Sequence, residues 1–228
     1  MNYKVIYTAL MAMVMSCNLA GQKANETEQL FNGKDLSHWR GDSQVWSVED
    51  GCIKGETTDE RVIGHNTFLI HDMIVSDFEL TFKYKIIGGN SGVQYRARVV
   101  DQDKFIVGGY QADMEAGIQY SGILYEEKGR GIIAQRGEKV VVSKDGQKTV
   151  ERFNTTEGIQ AVIKQEDWND YRIVAKGSHL QHYINGQLTM DVVDNETKKS
   201  ASSGVLALQV HAGPSMAVFY KELILKKL

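Results

Sequence analysis

The stretch FELTFKYKI, Phe78 to Ile86, decides the fold class of this chain. Its apolar residues occupy every second position, and Glu79, Thr81 and Lys83 stand between them. A period of two places alternate side chains on opposite faces of a strand, so one face is buried and the other is solvated. The sequence therefore predicts a half-buried β-strand at this position.

Similar short alternating segments follow one another along the chain without intervening helical patterns. Asn185-Gly186, directly after His182-Tyr183-Ile184, is a strong signal for a two-residue hairpin turn. Residues 157–166 fit either a short helix or a loop. This pattern predicts an all-β fold of two stacked antiparallel sheets, arranged as a single β-sandwich over residues 30–228. An immunoglobulin domain has only about 100 residues, so the size favours a concanavalin A-like jelly roll.

The N-terminus has the pattern of an export signal. A lysine near the start precedes the apolar run VIYTALMAMVM, which is too short to span a bilayer. The run ends in Val14-Met15-Ser16-Cys17, which resembles a bacterial lipoprotein signal. It implies a signal peptide over residues 1–17, lipidation of Cys17, and a lipid-anchored protein of the cell envelope, in the periplasm or at the outer membrane. Ordinary signal cleavage near Ala20-Gly21 is the alternative, and the polar residues 18–29 are predicted to form a flexible tether.

Composition and missing motifs narrow the function classes. The formal net charge is −3 and no run is rich in Lys or Arg, which argues against nucleic acid as a partner. The chain has no Gly-x-Ser-x-Gly, His-Glu-x-x-His, P-loop or dinucleotide motif, which argues against a serine hydrolase, a zincin and a cofactor-binding oxidoreductase. The remaining cysteine, Cys52, is interpreted as a small core residue.

Three predicted strands carry polar side chains at alternate positions. These positions are Gln94, Arg96 and Arg98 on the first strand, Gln111 and Asp113 on the second, and Gln209 and His211 on the third. Asn90 and Ser91 precede the first strand in a Gly-rich segment that can approach a ligand closely. Amide, carboxylate, guanidinium and imidazole groups suit sugar hydroxyls, which both donate and accept hydrogen bonds. The alternative is the ordinary polarity of solvent-facing strands.

A further polar group occurs in a predicted loop. Glu126, Glu127 and Arg130 follow Gly122-Ile123-Leu124-Tyr125. They add carboxylates and a cation to the candidate sugar site, or else they form a surface ion cluster of little consequence.

Eight segments together resemble a known family in the same order along the chain. They are Leu30 to Trp39, Asp77 to Leu80, Asn90 to Gly92 with Arg96, Gly109 to Asp113, Gly122 to Glu126, Trp168 to Tyr171, the Asn185-Gly186 turn, and Gly204 to His211. The family is the 3-keto-disaccharide hydrolase domain family, and the resemblance extends from Leu30 to Leu228. Two segments depart from the commoner pattern. Gln111 and Asp113 stand where many members have Glu and Gln, and Phe219-Tyr220-Lys221 stands where many have Phe-Arg-Asn.

The resemblance implies a concanavalin-like sandwich that hydrolyses glycosides oxidised at C3. A ketone at C3 makes the C2 proton acidic, so a base can remove it and the glycosidic oxygen on C1 can leave by elimination. Water then adds to the enone. Such a route needs a base, a group that neutralises the enolate and an acid for the leaving oxygen.

Roles follow as hypotheses from this chemistry and from strand alternation. Asp113 or His211 is the base, Glu126 is the acid, and Arg96 neutralises the enolate. The predicted substrate-binding residues are Asn90, Ser91, Gln94, Arg98, Gln111, Gln209 and Arg130. No cofactor is assigned from the sequence, and the alternative of a divalent metal ion that polarises the ketone stays open, with Asp113, Glu126 and His211 as suitable ligands.

Two other classes of function are compatible with the sequence. The same face would serve a non-catalytic carbohydrate-binding lipoprotein, although the tryptophans lie in segments that look structural rather than exposed for stacking. The chain could also be an interaction subunit of a larger envelope assembly.

Overall fold

The structure is a computed structural model that describes Met1 and residues 27–228. It confirms a nearly all-β chain with two antiparallel sheets packed as a sandwich. In chain order the elements are β1 (Thr27–Gln29), β2 (Trp39–Arg40), β3 (Trp46–Glu49), β4 (Cys52–Thr57), β5 (Thr67–Val75), β6 (Phe78–Ile87), β7 (Asn90–Asp101), β8 (Ile106–Glu115), β9 (Leu124–Glu127), β10 (Gly131–Ala134), β11 (Glu138–Val142), β12 (Lys148–Arg152), α1 (Thr156–Gln160), β13 (Asn169–Lys176), β14 (His179–Ile184), β15 (Gln187–Asp194), β16 (Gly204–Val210) and β17 (Met216–Lys227).

One sheet has ten strands in the order β12-β11-β15-β14-β13-β6-β17-β4-β3, with β1 also paired to β17. The other sheet has seven strands in the order β10-β9-β8-β7-β16-β5-β2. The pairing of β11 with β15 is parallel, and the other ladders between these strands are antiparallel. No helix in residues 27–228 combines the length and apolar character needed to cross a membrane.

The stretch that predicts a half-buried strand forms β6, in the middle of the ten-stranded sheet. Its apolar residues are buried between the sheets, as the alternation requires. The Asn185-Gly186 pair joins β14 to β15, with φ angles of 48° and 81° that suit the predicted turn. The segment left open between helix and loop begins with the short helix α1.

Residues 2–17 of the predicted signal peptide, including Cys17, lie outside the described residues. The predicted tether overlaps the described part at Thr27 to Gln29, which form β1 and pair with β17.

A β-bulge in β7 reorganises the seven-stranded sheet. Tyr95 pairs with Tyr110 and Arg98 pairs with Gly108, so two residues of β7 lie opposite the single residue Gly109. Arg96, the first bulged residue, has a φ of 48°. The bulge reverses the alternation, because Ala97 now packs on the outer face of the sheet and Arg96 turns toward the interior.

Beyond the bulge the tip of the β7–β8 hairpin, residues 98–107, folds over the outer face of its own sheet. The backbone oxygen of Phe105 accepts a hydrogen bond of 3.0 Å from the amide of Phe68 on β5. Under the tip lies a small apolar cluster of Phe68, Ile70, Ala97, Val107, Val205 and Ala207. A Cβ on Gly204 would come within 2.3 Å of the Ala97 oxygen, so the close approach of β16 to β7 at the bulge requires glycine there. The hairpin tip therefore occupies part of the outer face.

Candidate functional site

A cavity of about 520 Å³ lies on the outer face of the seven-stranded sheet. It is lined by Asn66, Gly89, Asn90, Gln111, Asp113, Glu115, Tyr120, Ile123, Tyr125, Glu127, Ile132, Gln209, His211, Ala212 and Pro214. Its size and its mixture of aromatic and polar groups are typical of small-molecule sites. Five of the predicted site residues, Asn90, Gln111, Asp113, Gln209 and His211, meet here.

Another cavity, of about 280 Å³, lies on the outer face of the ten-stranded sheet. Its cations are paired with carboxylates, since Lys83 lies 2.5 Å from Asp170 and Arg172 lies 3.2 Å from Glu79. The cavity on the seven-stranded sheet contains a buried carboxyl without a cation and is therefore the better candidate for chemistry.

A row of buried amides forms the floor beside this cavity. Gln94 and Gln111 are direct partners across β7 and β8, and Gln94 Nε2 donates to Gln111 Oε1 over 2.5 Å. Gln209 Nε2, from β16, donates to the same oxygen over 3.1 Å. Gln94 is fully buried behind Gln111, so it positions the neighbouring amide instead of lining the cavity.

Asp113 is the most perturbed carboxyl of the site. Burial raises its pKa to about 7, and the negative charges of Glu115 and Glu127 act in the same direction. Hydrogen bonds from Gln111 and Asn90 oppose the shift. The side chain is 6% exposed, and within the described part of the chain it forms no salt bridge. A carboxyl with these properties can exchange a proton near neutral pH.

His211 follows directly after β16 and lies on the rim of the cavity. Its side chain is exposed, and no hydrogen-bond partner for it exists among residues 27–228. It is therefore free to meet a ligand.

The strand β9 supplies two cavity residues, Tyr125 and Glu127, to which the sequence assigned no catalytic or substrate-binding role. Tyr125 pairs with Gln111 and Glu127 pairs with Gly109, so both share the face of Asp113. Burial raises the pKa of Tyr125, as do the charges of Glu127 and Asp113. The other unpredicted lining residues with polar groups are Asn66, Glu115 and Tyr120.

The predicted placement of Glu126 and Arg130 is wrong. Glu126 pairs with Tyr110, so it faces the sandwich interior and not the cavity. There Arg130 Nε contacts Glu126 Oε2 at 2.5 Å, and its other nitrogens contact Asp194 at 2.7 Å and Glu196 at 3.0 Å. The alternative of a surface ion cluster is also wrong, because the side chains are at most 9% exposed. This buried ion cluster joins the two sheets.

The predicted position of Arg96, on the same face as Gln94, is also wrong, because the bulge in β7 turns its side chain toward the interior. Its guanidinium donates to the backbone oxygens of Ser76 and Gly177, each over 2.7 Å, and to Asp77 Oδ1 over 2.9 Å. Arg96 therefore ties together the turns at one end of the sandwich and cannot reach the cavity.

Ser91 and Arg98 also lie outside the cavity. Ser91 Oγ contacts Tyr220 Oη at 2.7 Å in the interior. Arg98 is exposed on the hairpin tip and donates to the oxygen of Lys128 over 3.2 Å. Neither residue is placed to bind a ligand in the cavity.

The metal-ligand set suggested by the sequence does not come together. Asp113 and His211 share the cavity, but Glu126 lies on the opposite face of the sheet. Among the described residues no group of three or more His, Cys, Asp or Glu side chains is arranged to hold a metal ion.

The family of the chain is decided by its match to a family model. Residues 26–226 match the model described as the 3-keto-alpha-glucoside-1,2-lyase-like domain. The chain belongs to this family. The match confirms the resemblance seen in the sequence to the 3-keto-disaccharide hydrolase domain family.

Three known proteins are similar to the chain. A 3-keto-disaccharide hydrolase of Bacteroides thetaiotaomicron is 38% identical over 84 residues, which are 33% of this chain and 29% of that protein. A proposed glycosyl hydrolase of Parabacteroides distasonis is 20% identical, with a TM-score of 0.57 over 89% of this chain and 94% of that chain. The carbohydrate-binding module CBM66 of Bacillus subtilis is 15% identical, with a TM-score of 0.55 over 83% and 96%. At these identities the two structures support the jelly-roll fold alone.

Proposed function

We propose that this protein cleaves the glycosidic bond of 3-keto-glycosides by elimination followed by addition of water. Its family supports this choice of substrate. The observation that carries the mechanism is the buried carboxyl of Asp113 in the cavity, whose pKa is about 7.

Asp113 is the base in this proposal. As a carboxylate it takes the proton from C2, the electron pair forms an enolate with the C3 oxygen, and the bond between C1 and the glycosidic oxygen then breaks. Burial and two neighbouring carboxylates favour the protonated form of Asp113, which is the form produced when it takes the proton from C2. A base with a pKa near the working pH also combines adequate ionisation with adequate strength.

The enolate must be stabilised by hydrogen-bond donors, because no Lys or Arg side chain of the described residues lines the cavity. Among the lining residues, the amides of Asn66 and Gln209 each carry a second N–H beside the one already bonded to Glu127 or Gln111, and the ring of His211 can also donate. The glycosidic oxygen needs a proton as it leaves, and either His211 or Tyr125 can supply it from the cavity rim. Water then adds its hydroxyl to C1 and gives its other proton to the group that protonated the leaving oxygen, while the acid form of Asp113 returns a proton to C2.

The test compares a 3-keto-disaccharide with its unoxidised parent. We expect the wild-type protein to cleave only the oxidised sugar. Asp113→Asn should lower turnover at least ~10²-fold, the lower range for loss of a general base. Cleavage of both sugars at equal rates would contradict the elimination route, since the parent has no acidic C2 proton.

Binding without cleavage is the second candidate. One observation favours it, namely that the guanidinium expected to neutralise the enolate, Arg96, is held away from the cavity. Calorimetric binding of both sugars without cleavage of either would establish this alternative.

We also propose that the protein is held in the cell envelope by a lipid on Cys17, as the pattern Val14-Met15-Ser16-Cys17 suggests. Cys17→Ser should move the protein from the membrane fraction to the soluble fraction of the producing bacterium. Equal distribution of the two proteins would contradict the anchor.

A further inference from the structure

Three carboxyl side chains line the cavity, and they are spread along it. Asp113 and Glu115 lie on β8, and Glu127 lies opposite Gly109 of that strand. At about 3.3 Å per residue, the position of Glu127 is roughly 13 Å from Asp113, and Glu115 is roughly 7 Å beyond Asp113. A charged group of a ligand in the cavity would therefore lie within about 8 Å, one Debye length at physiological salt, of at least one carboxylate.

These carboxylates are not balanced by cations that a ligand could reach. Lys128 Nζ lies 3.7 Å from Glu127 Oε1, but its side chain is half exposed and stands outside the cavity. Arg136 attracts Glu115 electrostatically, yet it is buried, and Nη1 is bound to Gln160 Oε1 over 2.6 Å. Among the described lining residues, only His211 has a side chain that can carry a positive charge.

We propose that this cavity selects glycosides by charge, accepting neutral and ammonium-bearing sugars and rejecting those that carry carboxylate, sulfate or phosphate. The inference rests on the proposed function for the identity of the ligand as a glycoside. It goes beyond that function in specifying which glycosides can enter.

Charge selection also acts on the chemistry. The negative charges of Glu115 and Glu127 already raise the pKa of Asp113. An anionic substrate would raise it further, so less of the base would be ionised at neutral pH. An anionic sugar therefore binds more weakly and leaves less of Asp113 ionised. A sugar with an ammonium group binds more tightly and leaves more of Asp113 ionised.

The experiment uses three disaccharides that differ at one C6 position, as hydroxymethyl, carboxylate or aminomethyl. Binding of the unoxidised sugars is measured by calorimetry at low and high ionic strength, and turnover is measured with their 3-keto forms. At low ionic strength we expect the carboxylate to bind roughly tenfold more weakly than the hydroxymethyl sugar, as for one like charge about 8 Å away in a partly buried site. The aminomethyl sugar should bind at least as tightly as the hydroxymethyl sugar, and salt should narrow both differences.

A charge-neutralising variant and a matched control test whether Glu115 and Glu127 cause the discrimination between charged sugars. Glu115→Gln combined with Glu127→Gln keeps the side-chain oxygens that accept hydrogen bonds and should shrink the discrimination at least about threefold. Glu151→Gln combined with Glu166→Gln changes the net charge equally at exposed positions outside the cavity and should leave the discrimination unchanged.

The outcomes separate this inference from the proposed function. Equal affinities for the carboxylate and hydroxymethyl sugars at low ionic strength would overturn charge selection, even if both 3-keto forms are cleaved. Charge-ordered binding with no cleavage of any 3-keto form would support charge selection and contradict the proposed reaction. Failure of all three unoxidised sugars to bind, together with equal turnover of the three 3-keto forms, would overturn charge selection alone. Absence of both binding and cleavage would overturn both.

Discussion

Two groups of carboxylates lie on opposite faces of the β8–β9 ladder, and their surroundings give them opposite properties. In the cavity, burial and neighbouring negative charges raise the pKa of Asp113 to about 7. In the buried ion cluster, burial works against the charge of Asp194, but hydrogen bonds from Arg130 and Tyr110 lower its pKa below the ordinary value. Burial thus raises the pKa of a carboxyl where no cation is supplied, whereas the carboxylate beside a cation has a lowered pKa.

The adjacent residues Glu126 and Glu127 show how small the difference in sequence is. One points into the ion cluster and the other into the cavity, because successive side chains of a strand face opposite sides. The function proposed for this site therefore depends on the alternation of β9.

Removing Arg130, the cation of the buried ion cluster, should have the largest effect on stability. Arg130→Met would leave Glu126, Asp194 and Glu196 close together without their shared partner. Breaking a buried ion pair in this way costs roughly 3–5 kcal/mol, and we expect a loss of that size in the free energy of unfolding, measured with urea at neutral pH.

Arg98→Met is the matched control, since Arg98 is an exposed arginine on the tip of the β7–β8 hairpin with one hydrogen bond to a backbone oxygen. It should change stability by no more than about 0.5 kcal/mol. A similar small loss for Arg130→Met would mean that the ion cluster contributes little and that the two carboxylate groups do not differ as described.

The sequence predicted the sheets well because their signals are local. The alternation in β6 and the Asn185-Gly186 turn depend only on neighbouring residues, and both are found where expected. The site was predicted only in part, because which face a residue takes depends on every irregularity before it. One bulged residue, Arg96, reversed the end of β7, and the loop over residues 116–123 concealed which of Glu126 and Glu127 would share the face of Asp113.

Asp113, which has no cation partner among the described residues, should affect the pH dependence of stability in the opposite direction to Asp194. Its folded pKa of about 7 lies above the ordinary value of 3.8, so the folded state binds more protons than the unfolded state between these values. Stability from Asp113 is therefore greatest below pH 3.8 and falls as the pH rises to about 7. The lowered pKa of Asp194 has the reverse effect, since its stabilisation is lost as the pH falls below the ordinary value.

Asp113→Asn should accordingly be more stable than the wild type above pH 7, while it loses activity. About three pKa units correspond to roughly 4 kcal/mol, which sets the upper limit of the gain. The check is the difference in unfolding free energy between variant and wild type, measured from pH 4 to pH 8. A difference that stays constant over this range would show that the pKa of Asp113 is not raised.

The smallest effect should come from neutralising the two adjacent glutamates one at a time. Glu127→Gln removes a negative charge that raises the pKa of Asp113, so the acid limb of the turnover profile should move to lower pH. Its stability should change by only about 0.5 kcal/mol, because the cation paired with Glu127 in the described part of the chain is the half-exposed Lys128. Glu126→Gln should leave the acid limb in place and cost about 1–3 kcal/mol through the weakened contact with Arg130. The pair is measured by turnover against pH and by urea unfolding of the same preparations. If Glu126→Gln moved the acid limb and Glu127→Gln did not, β9 would be turned over, and Glu126 would be the carboxylate that faces the sugar.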